Sequence, residues 1–424
     1  MIEKVVSKIN MYNAYKRVFS NGGGAGVDGM TLDKLHFHLN KTWPIKKQLL
    51  LEGRFLPQPI KGVEIPKPNG KKRLLGIPTV EDRLIQQAML QVLSPIFDKD
   101  FSTHSYGFRP NKSAHQALQT SLAYINNGYQ KIIDIDLKSF FDEVDHSILL
   151  ELVYRKVKCT IVMKLLRKFL RAPILIQGKL QKRQKGVPQG GPLSPLLSNI
   201  VLHELDQTLE ARGLLFIRFA DDFSIYTKSA KAAKRVGNSI YCFLKEHLKL
   251  PINREKSGLR KPHQFEVLGY TFVPSYKKGT KGKFQLVAKQ KAWERLKYSL
   301  KEVTCKTKPM SFDERIKKLL EVQRGWVNYF KLGSIKLKLK KLDEWLRNRL
   351  RYCIWHDWKK PERKRKNLIR LGIPQGQAYA WSRTRKGGWA VAQSPILNTT
   401  ITLGRLRQRG YISMIDIYTK ATEK

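Results

Sequence analysis

In the stretch Phe216-Ile-Arg-Phe-Ala-Asp-Asp-Phe-Ser-Ile-Tyr226, strand-forming residues flank the one adjacent aspartate pair of the chain, Asp221 and Asp222. This pattern predicts two strands that meet in a tight hairpin at the two carboxylates. Like charges held so close repel each other, and a cation such as Mg²⁺ can neutralise them. An Asp-Asp pair also suits an ordinary turn, because aspartate tolerates bent backbone and bonds nearby amides. The hairpin alone therefore leaves two interpretations open, a metal site and a plain turn.

A third carboxylate, upstream in the chain, favours the metal site. The run Lys131-Ile-Ile-Asp-Ile-Asp-Leu-Lys-Ser-Phe-Phe-Asp142 predicts a buried strand that leads into Asp136. Two Mg²⁺ ions about 3.5 to 4 Å apart, shared by such carboxylates, activate a primer 3′-hydroxyl and stabilise the leaving pyrophosphate in nucleotidyl transfer. Asp134 and Asp142 are competing candidates. Because side chains alternate along a strand, Asp134 and Asp136 share one face, and spacing does not choose between them.

The charge of the chain indicates polyanionic partners. Its 424 residues include 81 Lys and Arg against 34 Asp and Glu, which gives a formal net charge of +47. Basic residues lie along the whole chain between aromatic ones, a pattern that suits phosphate contacts and base stacking. The hydrophobic fraction of 42% is enough for packed cores, so the sequence does not describe a disordered basic tail.

Several classes of protein are excluded by the sequence. The four cysteines are far apart, without a Cys-x-x-Cys pair, which argues against a zinc site and a disulfide framework. The N-terminus lacks the apolar region of a signal peptide, and no apolar run approaches 18 residues. We therefore expect a cytoplasmic protein without a membrane partner.

A basic loop precedes the acidic residues. The run Glu64-Ile-Pro-Lys-Pro-Asn-Gly-Lys-Lys-Arg-Leu-Leu-Gly76 places a Pro-Asn-Gly turn between strand-like flanks and predicts a β-hairpin. Lys67 and Arg73 would converge from its two arms, where a pair of cations could grip a triphosphate. An exposed basic hairpin explains the same residues equally well.

Helical patterns occupy much of the remaining chain. Apolar residues at helical spacing predict helices over 82–97 and 196–209, and the glycines of 186–195 let the backbone approach a ligand closely. Ser311-Phe-Asp-Glu314 is a capping box that predicts a helix start, followed by apolar stripes typical of a basic helical bundle. From Pro361 the chain becomes rich in Lys, Arg, Gly and Trp, which fits a small nucleic-acid-binding domain.

The order of these motifs resembles the palm of reverse transcriptases. More narrowly, the chain over essentially its full length resembles bacterial group II intron-encoded reverse transcriptase/maturases, in particular the compact class C type without an endonuclease domain. The palm segments are Asp136-Leu-Lys-Ser-Phe-Phe-Asp142, Pro188-Gln-Gly190, Phe219-Ala-Asp-Asp222, Asn253-Arg-Glu-Lys-Ser257 and Leu268-Gly-Tyr270. The segments that carry the narrower likeness are Asn21–Thr31, Glu64–Thr79, Tyr106–Pro110 and Gly325-Trp-Val-Asn-Tyr-Phe330.

The resemblance implies an α+β fold of the right-hand polymerase type. It would consist of fingers, a palm with an antiparallel sheet, an α-helical thumb and a small basic C-terminal domain. The implied limits are 1–288 for an N-terminal extension with fingers and palm, 289–360 for the thumb or maturase domain X, and 361–424 for a basic DNA-binding domain.

The resemblance also assigns roles to individual residues. The catalytic trio falls on Asp136, Asp221 and Asp222, and the Leu137 carbonyl would complete one Mg²⁺ shell, so the choice goes against Asp134 and Asp142. Lys256 corresponds to a lysine proposed as the general acid for pyrophosphate, although contact with backbone phosphate is an equal alternative. The residues implied to bind the dNTP are Lys67, Arg73, Leu137, Phe141 and Gln189. The residues implied to contact primer or template are Phe219, Ala220, Arg109 and Gly190.

Two positions refine the expected chemistry. Phe141 matches the steric gate, where an aromatic ring leaves no room for a ribose 2′-hydroxyl, so deoxynucleotides are the expected substrates. Phe219 departs from the family, which usually has Tyr-Ala-Asp-Asp. Because the ring and not the hydroxyl packs under the primer–template pair, we expect activity to survive with altered fidelity.

The implied function is RNA-directed DNA polymerisation with two Mg²⁺ ions. The enzyme would extend a DNA or RNA primer along an RNA template with dNTPs, and would bind its own group II intron RNA to assist splicing. Intron mobility by target-primed reverse transcription at a target DNA would follow, with the protein acting as a bacterial ribonucleoprotein. Three alternatives stay open: a stand-alone reverse transcriptase, a splicing factor without polymerase activity, and an RNA polymerase. The DNA flanking the gene would separate the first from the intron-encoded enzyme, and the sequence leaves the oligomeric state unknown.

Overall fold

The computed structural model describes residues 1–66, 70, 72–276 and 279–423. The chain divides between Phe265 and Glu266 into a first unit, Met1–Phe265, and a second unit, Glu266–Lys424. Among the residues that the structure describes, no helix combines the length and apolar character that crossing a membrane requires.

The first unit mixes helices with two four-stranded sheets. Its helices are α1 (Ile2–Val5), α2 (Lys8–Asn21), α3 (Leu32–Leu51), α4 (Val80–Asp98), α5 (Ala114–Asn126), α6 (Phe140–Glu143), α7 (His146–Lys156), α8 (Thr160–Arg171), α9 (Ser194–Ala211) and α10 (Ala230–Glu246). Its strands are β1 (Ile60–Pro66), β2 (Lys72–Ile77), β3 (Lys131–Ile135), β4 (Ile174–Ile176), β5 (Lys179–Gln181), β6 (Leu215–Phe219), β7 (Asp222–Thr227) and β8 (Gly258–Arg260).

The central sheet of the first unit has the order β6-β7-β3-β8, and every neighbouring pair is antiparallel. The β-branched residues Ile132 and Ile133 favour the pleated backbone of β3. Ile133 and Ile225 are buried in the principal core together with apolar residues of the surrounding helices. The expected antiparallel palm sheet and α+β class are thereby confirmed.

The second sheet of this unit contains the basic hairpin. Strands β1 and β2 pair antiparallel, with Ile65 opposite Arg73, and β1 also pairs in parallel with β4. The sheet order is β2-β1-β4-β5. The paired strands expected on the two sides of the Pro-Asn-Gly turn are confirmed, while Lys67 and the other residues of 67–69 and 71 lie outside the described residues.

The second unit begins with a three-stranded antiparallel sheet and continues with helices. Its strands are β9 (Glu266–Val267), β10 (Tyr270–Pro274) and β11 (Phe284–Ala288), in the order β11-β10-β9. Its helices are α11 (Gln290–Val303), α12 (Phe312–Phe330), α13 (Lys336–Asp357), α14 (Pro361–Arg370), α15 (Gln375–Ser382), α16 (Gly388–Gln393), α17 (Pro395–Asn398), α18 (Leu403–Gln408) and α19 (Met414–Thr422). The expected capping box is present, since Ser311 and Glu314 each bond the other's backbone amide at the start of α12.

The chain division and the sequence-based domain limits differ at residues 266–288. These residues belong to the second unit because their sheet packs on α12. The Tyr270 hydroxyl donates a hydrogen bond of 2.6 Å to the Tyr329 carbonyl, and the Tyr329 hydroxyl donates one of 2.9 Å to the Leu268 carbonyl. The Tyr270 and Phe330 rings have centroids 5.1 Å apart. The limits 1–288, 289–360 and 361–424 themselves stay predictions.

Candidate active site

The aspartate pair lies at the tip of the β6–β7 hairpin. Phe219 and Asp222 are opposite each other in the strand register, so Ala220 and Asp221 form a two-residue turn. Ala220 has a φ of 59°, and a positive φ at this position is what tight hairpin turns require. Asp136 follows directly on β3, the strand that pairs with β7. The sheet therefore brings all three predicted catalytic acids to one end of two adjacent strands.

The loop before β8 holds the backbone of Asp136. Its N–H donates a hydrogen bond of 3.0 Å to Ser257 Oγ, and its carbonyl accepts one of 2.8 Å from the Asn253 N–H. Lys256 Nζ lies 3.4 Å from Asp136 Oδ2, with 65% of the lysine side chain exposed. Two motifs that are far apart in sequence are thus joined at one carboxylate.

The electrostatics of the three acids suit a bound cation. Burial raises the pKa of Asp221, and the negative charge of Asp136 raises it further. The pKa of Asp222 is raised to about 6, first by burial and then by the charges of Asp221 and Asp136. Hard carboxylate oxygens that repel each other are the donors that Mg²⁺ prefers. Within the described ranges, however, no three His, Cys, Asp or Glu side chains are already arranged to hold a metal ion. The charge of the three acids therefore suits a cation, while their side-chain positions do not form a finished coordination site.

Replacing Asp222 by asparagine should stabilise the protein at neutral pH. Asp222 is exposed to solvent, yet nearby protein atoms remove enough water to raise its pKa to about 6. The stability that goes with the protonated carboxyl is present below about pH 4 and is lost as the pH rises through about 6. The amide side chain of the variant cannot ionise. After solvent screening, the gain of Asp222→Asn is at most about 1 kcal/mol, or roughly 2 to 4 °C in Tm at pH 8.

Thermal melts of both proteins in metal-free buffer at pH 4 and pH 8 measure this effect. The two Tm values should coincide at the lower pH and separate at the higher one, and added Mg²⁺ should reduce the difference by neutralising the wild-type carboxylates. A wild-type protein as stable as Asp222→Asn at pH 8 would contradict the electrostatic account.

A cavity of about 1600 Å³ in the first unit collects most of the predicted substrate-binding residues. Arg73 Nε donates a hydrogen bond of 2.5 Å to Gln189 Oε1, although the two residues are 116 positions apart in the sequence. Phe141 stands beside them, its ring packed edge-to-face on the buried Phe140 at a centroid distance of 5.3 Å. The cavity wall includes Arg73, Arg109, Phe141, Gln189, Gly190 and Phe219.

Gly190 lies where the loop 186–195 packs against strand β2. The Gly76 N–H donates a hydrogen bond of 2.9 Å to the Gln189 carbonyl, and Gly190 has a φ of 130°. A Cβ at Gly190 would lie 2.4 Å from the Gly76 carbonyl oxygen. Glycine is therefore needed here so that the palm loop can pack against strand β2.

Arg109 makes its polar contacts inside the protein. Its Nε bonds Asp98 Oδ1 at 2.7 Å, its other nitrogens bond backbone carbonyls of Asp98, Ser102 and Ser105, and its side chain is only 7% exposed. The structure thus gives Arg109 a role in shaping the loop 102–110, and its contact with primer or template stays a prediction. This loop exposes the ring of Phe108, which is 53% exposed with a φ of 58°.

Sequence reasoning missed three polar residues behind the hairpin. Arg218 and Asp206 are fully buried, and Asn199 is 1% exposed. The signal was present, because Arg218 interrupts an otherwise apolar strand pattern and a charge in such a place needs a buried partner. Its partners lie on α9, and the strand pattern does not name them.

Two family models match the chain. Residues 65–272 match the model described as "Reverse transcriptase (RNA-dependent DNA polymerase)". Residues 293–372 match the model described as "Group II intron, maturase-specific domain". The first range contains all three acids of the hairpin site, and the second lies in the second unit.

Individual relatives extend these matches. The chain is 36% identical over 289 residues to "Protein YkfC" of Escherichia coli, which covers 58% of this chain and 75% of that protein. It is 41% identical over 199 residues to "Group II intron-encoded protein LtrA" of Lactococcus lactis subsp. cremoris, covering 46% of this chain and 33% of the relative. Among solved structures, a telomerase from Candida albicans aligns over 79% of this chain and 65% of its own, at 13% identity and a TM-score of 0.44. The chain thus spans three quarters of one curated relative and a third of the other.

Proposed function

We propose, on the premise that this chain belongs to the reverse transcriptase family and carries a group II intron maturase-specific domain, that its hairpin site copies RNA into DNA and that its second unit binds intron RNA. The family sets the enzyme class, RNA-directed DNA polymerase. The observation that carries the proposal for the site is the convergence of Asp136, Asp221 and Asp222 at one end of the β3–β7 pair, inside the matched range.

The proposed cofactor is a pair of Mg²⁺ ions held by Asp136, Asp221, Asp222 and the Leu137 carbonyl. When bound, they would activate the primer 3′-hydroxyl and neutralise charge on the transferring phosphate. The three carboxylates are suited to this because they destabilise one another's charge. The hairpin fixes Asp222 by backbone pairing and holds Asp221 in its two-residue turn. The backbone of Asp136 is fixed by the hydrogen bond that its N–H donates to Ser257 Oγ and by the one that its carbonyl accepts from the Asn253 N–H.

The proposed dNTP site lies in the 1600 Å³ cavity. Arg73 would bind the triphosphate as a cation, and Gln189 orients Arg73 by accepting the 2.5 Å hydrogen bond from its Nε. Lys67, which lies outside the described residues, is proposed as a second cation for the triphosphate by resemblance alone. Lys256 Nζ lies 3.4 Å from Asp136, and an ammonium here could give a proton to pyrophosphate or contact backbone phosphate.

The proposed primer and template contacts come from Phe219, Ala220 and Gly190, with Arg109 shaping the neighbouring loop. Phe219 and Gly190 line the cavity, and Ala220 is held in the turn beside Asp221. The aromatic face of Phe219 would pack under the terminal base pair without need of a hydroxyl group. This is the physical reason to expect that phenylalanine at residue 219 is compatible with activity.

Replacing Phe141 by alanine should increase ribonucleotide incorporation. The packing of Phe141 on the buried Phe140 limits its movement, so the ring would exclude a 2′-hydroxyl group by its volume. Shape discrimination of this size is worth about 1 to 3 kcal/mol, or roughly 10- to 200-fold in kcat/KM. Primer extension with rNTPs and dNTPs, assayed separately on one RNA template, measures the ratio.

Phe140→Leu is a milder perturbation of the same gate, because it removes the ring that limits the movement of Phe141 and keeps the proposed gate residue. It should change the ratio much less than Phe141→Ala. Equal rNTP use by wild type and Phe141→Ala would remove the gate assignment. A wild-type preference for rNTPs would instead support the RNA polymerase alternative.

The second unit supports the RNA-binding part of the proposal. Half-buried tryptophans and cations share one face of it: Lys297 Nζ lies 5.3 Å from the centre of the Trp345 ring, and Arg349 lies within 6 Å of both Trp345 and Trp389. Cations beside aromatic rings suit phosphate contact together with base stacking. The maturase-specific match over 293–372 favours an intron RNA partner over a stand-alone enzyme. Splicing assistance, target-primed mobility at a DNA site and a cytoplasmic ribonucleoprotein follow as parts of this proposal.

The test of the enzyme proposal is primer extension. The purified protein with Mg²⁺, an RNA template, a DNA primer and dNTPs should extend the primer, and the same reaction without metal should not. A protein that binds the RNA tightly but incorporates no dNTP would favour the splicing-factor alternative.

A further inference from the structure

A buried ion pair lies directly behind the catalytic hairpin. Arg218 of β6 and Asp206 of α9 are both 0% exposed. Arg218 Nε bonds Asp206 Oδ1 at 2.8 Å, and Arg218 Nη2 bonds Asp206 Oδ2 at 2.5 Å. Burying two charges carries a large desolvation penalty, and replacing such a pair by apolar residues is often neutral or stabilising. Stability alone therefore gives a weak reason for this pair to be there.

The remaining nitrogen of Arg218 reaches the turn itself. Nη1 donates one hydrogen bond of 2.8 Å to Asn199 Oδ1 and another of 3.0 Å to the Ala220 carbonyl. Asn199 Nδ2 in turn donates a hydrogen bond of 3.0 Å to the Gly107 carbonyl. A single guanidinium thus ties α9, the catalytic turn and, through Asn199, the loop that precedes α5.

The turn needs such support. Ala220 has a φ of 59°, a left-handed conformation that costs a residue with a Cβ free energy and persists where the surroundings impose it. Backbone hydrogen bonds also join Arg218 to the loop before α5. The Tyr106 N–H donates to the Arg218 carbonyl at 2.8 Å, and the Arg218 N–H donates to the His104 carbonyl at 2.9 Å. The carboxylates of Asp221 and Asp222 follow directly after this strained residue.

We infer that Arg218, Asp206 and Asn199 form a positioning network, in which the buried ion pair aims Arg218 at the Ala220 carbonyl and so sets the orientation of the catalytic turn. The inference rests on the proposed function of Asp221 and Asp222. None of the three residues would touch substrate. Their role is to hold the reacting groups to within a fraction of an ångström, and a misplacement of about 1 Å can reduce a rate about a hundredfold.

The double variant Arg218→Met with Asp206→Leu tests the network. It removes both charges and keeps similar volume, so we expect a folded protein with a Tm close to wild type. In primer extension, kcat should fall about a hundredfold, while KM for dNTP and the Kd for primer–template duplex should stay unchanged. Asn199→Ala leaves the ion pair in place and should lower kcat by a smaller factor.

Tyr226→Phe is the matched control in the same strand pair. It removes a buried hydrogen bond, 2.6 Å long, between Tyr226 and Ser121 at the end of β7 away from the turn. This variant should lower Tm without lowering kcat. A purely structural role of Arg218 would give the same result in the double variant, a lower Tm with kcat preserved, and that outcome overturns the inference.

Hydrogen–deuterium exchange separates this inference from the proposed function. A peptide covering residues 216–226 should exchange faster in the double variant than in wild type. It should also exchange faster in Asn199→Ala, and exchange at the wild-type rate there would mean that Asn199 plays no part. Unchanged exchange of this peptide in both variants refutes the network whether or not the enzyme is active. If wild type incorporates no dNTP but the exchange difference is present, the proposed function fails and the positioning role stands. If the double variant does not fold, Asn199→Ala decides the question. A wild-type kcat together with a wild-type exchange rate in this variant refutes the inference, and a lower kcat or a faster exchange supports it.

Discussion

Asp222→Ala should abolish cDNA synthesis and leave binding of structured intron RNA, together with assisted splicing, at the wild-type level. Asp222 stands at the start of β7 with its pKa raised to about 6 by burial and by the neighbouring Asp221 and Asp136. Those charges are what a divalent cation would neutralise. Losing one carboxylate would remove roughly 4 kcal/mol of transition-state stabilisation, or about a thousandfold in rate.

RNA binding should survive because it depends on other surfaces. Its proposed groups are cations and aromatics of the second unit, such as Arg349, Trp345 and Trp389, whereas Asp222 belongs to the first. Contact with phosphate is electrostatic, and removing one acidic residue does not weaken it. Primer extension, filter binding of group II intron RNA and a splicing assay on the same preparations measure the three activities.

Asp134→Ala is the matched control for the catalytic assignment. Asp134 lies in β3 opposite Ser224, and its charge also raises the pKa of Asp222, yet it is not proposed as a ligand. This variant should retain readily measurable polymerisation. Equal loss in Asp134→Ala and Asp222→Ala would move the third carboxylate from Asp136 to Asp134. Loss of splicing assistance in a folded Asp222→Ala would refute the separation of the two activities.

Gly107→Ala should have the second largest effect, a loss of both stability and polymerisation. A Cβ on residue 107 would lie 2.2 Å from the Ala220 backbone nitrogen and 2.9 Å from the Phe219 carbonyl carbon. No side-chain rotation relieves a contact with backbone, so the loop or the turn must move. Overpacking of this kind destabilises by about 1 to 3 kcal/mol, and displacing the turn by about 1 Å should reduce kcat about a hundredfold.

Gly376→Ala provides the comparison, because a Cβ there meets nothing within 4 Å. Its kcat should match that of wild type, and its Tm should equal or slightly exceed the wild-type value, because alanine favours helix α15 more than glycine does. Circular dichroism melts and single-nucleotide incorporation rates measure both variants. A Gly107→Ala protein with wild-type kcat would show that the turn tolerates displacement, and would weaken the interpretation of Gly107 as a backbone contact of the active site.

Local sequence patterns predicted those helices and strands whose formation depends on an apolar pattern or a short motif within the same segment. The alternation around Ile133, the apolar flanks of Asp221 and Asp222, and the Ser311–Glu314 capping box each correspond to an observed strand, hairpin or helix start. These features depend on neighbours in the chain, which is why a single sequence contains enough information for them.

Interactions between distant segments were not predictable in the same way. Arg109 has the type and place of a nucleic-acid contact, yet its guanidinium bonds Asp98 and nearby carbonyls. The strands at 266–288 pack on α12 within the second unit, a contact that the sequence pattern did not name, while the predicted limit at residue 288 stays a prediction. Composition does not reveal which partner a buried polar group finds, because the choice depends on which surfaces meet in space.

Through its resemblance to reverse transcriptases, the sequence determined the polymerase fold class and the three candidate acids, and its charge indicated nucleic-acid partners. These follow from residue types in a fixed order, and order is what a chain encodes directly. Only the tertiary structure decided that Asp136 meets the Asp221–Asp222 hairpin, that Arg73 bonds Gln189, and that Arg218 and Gly107 support the turn from behind. Each of these is a contact between residues far apart in the chain or buried behind the site, and packing in three dimensions, rather than local preference, selects it.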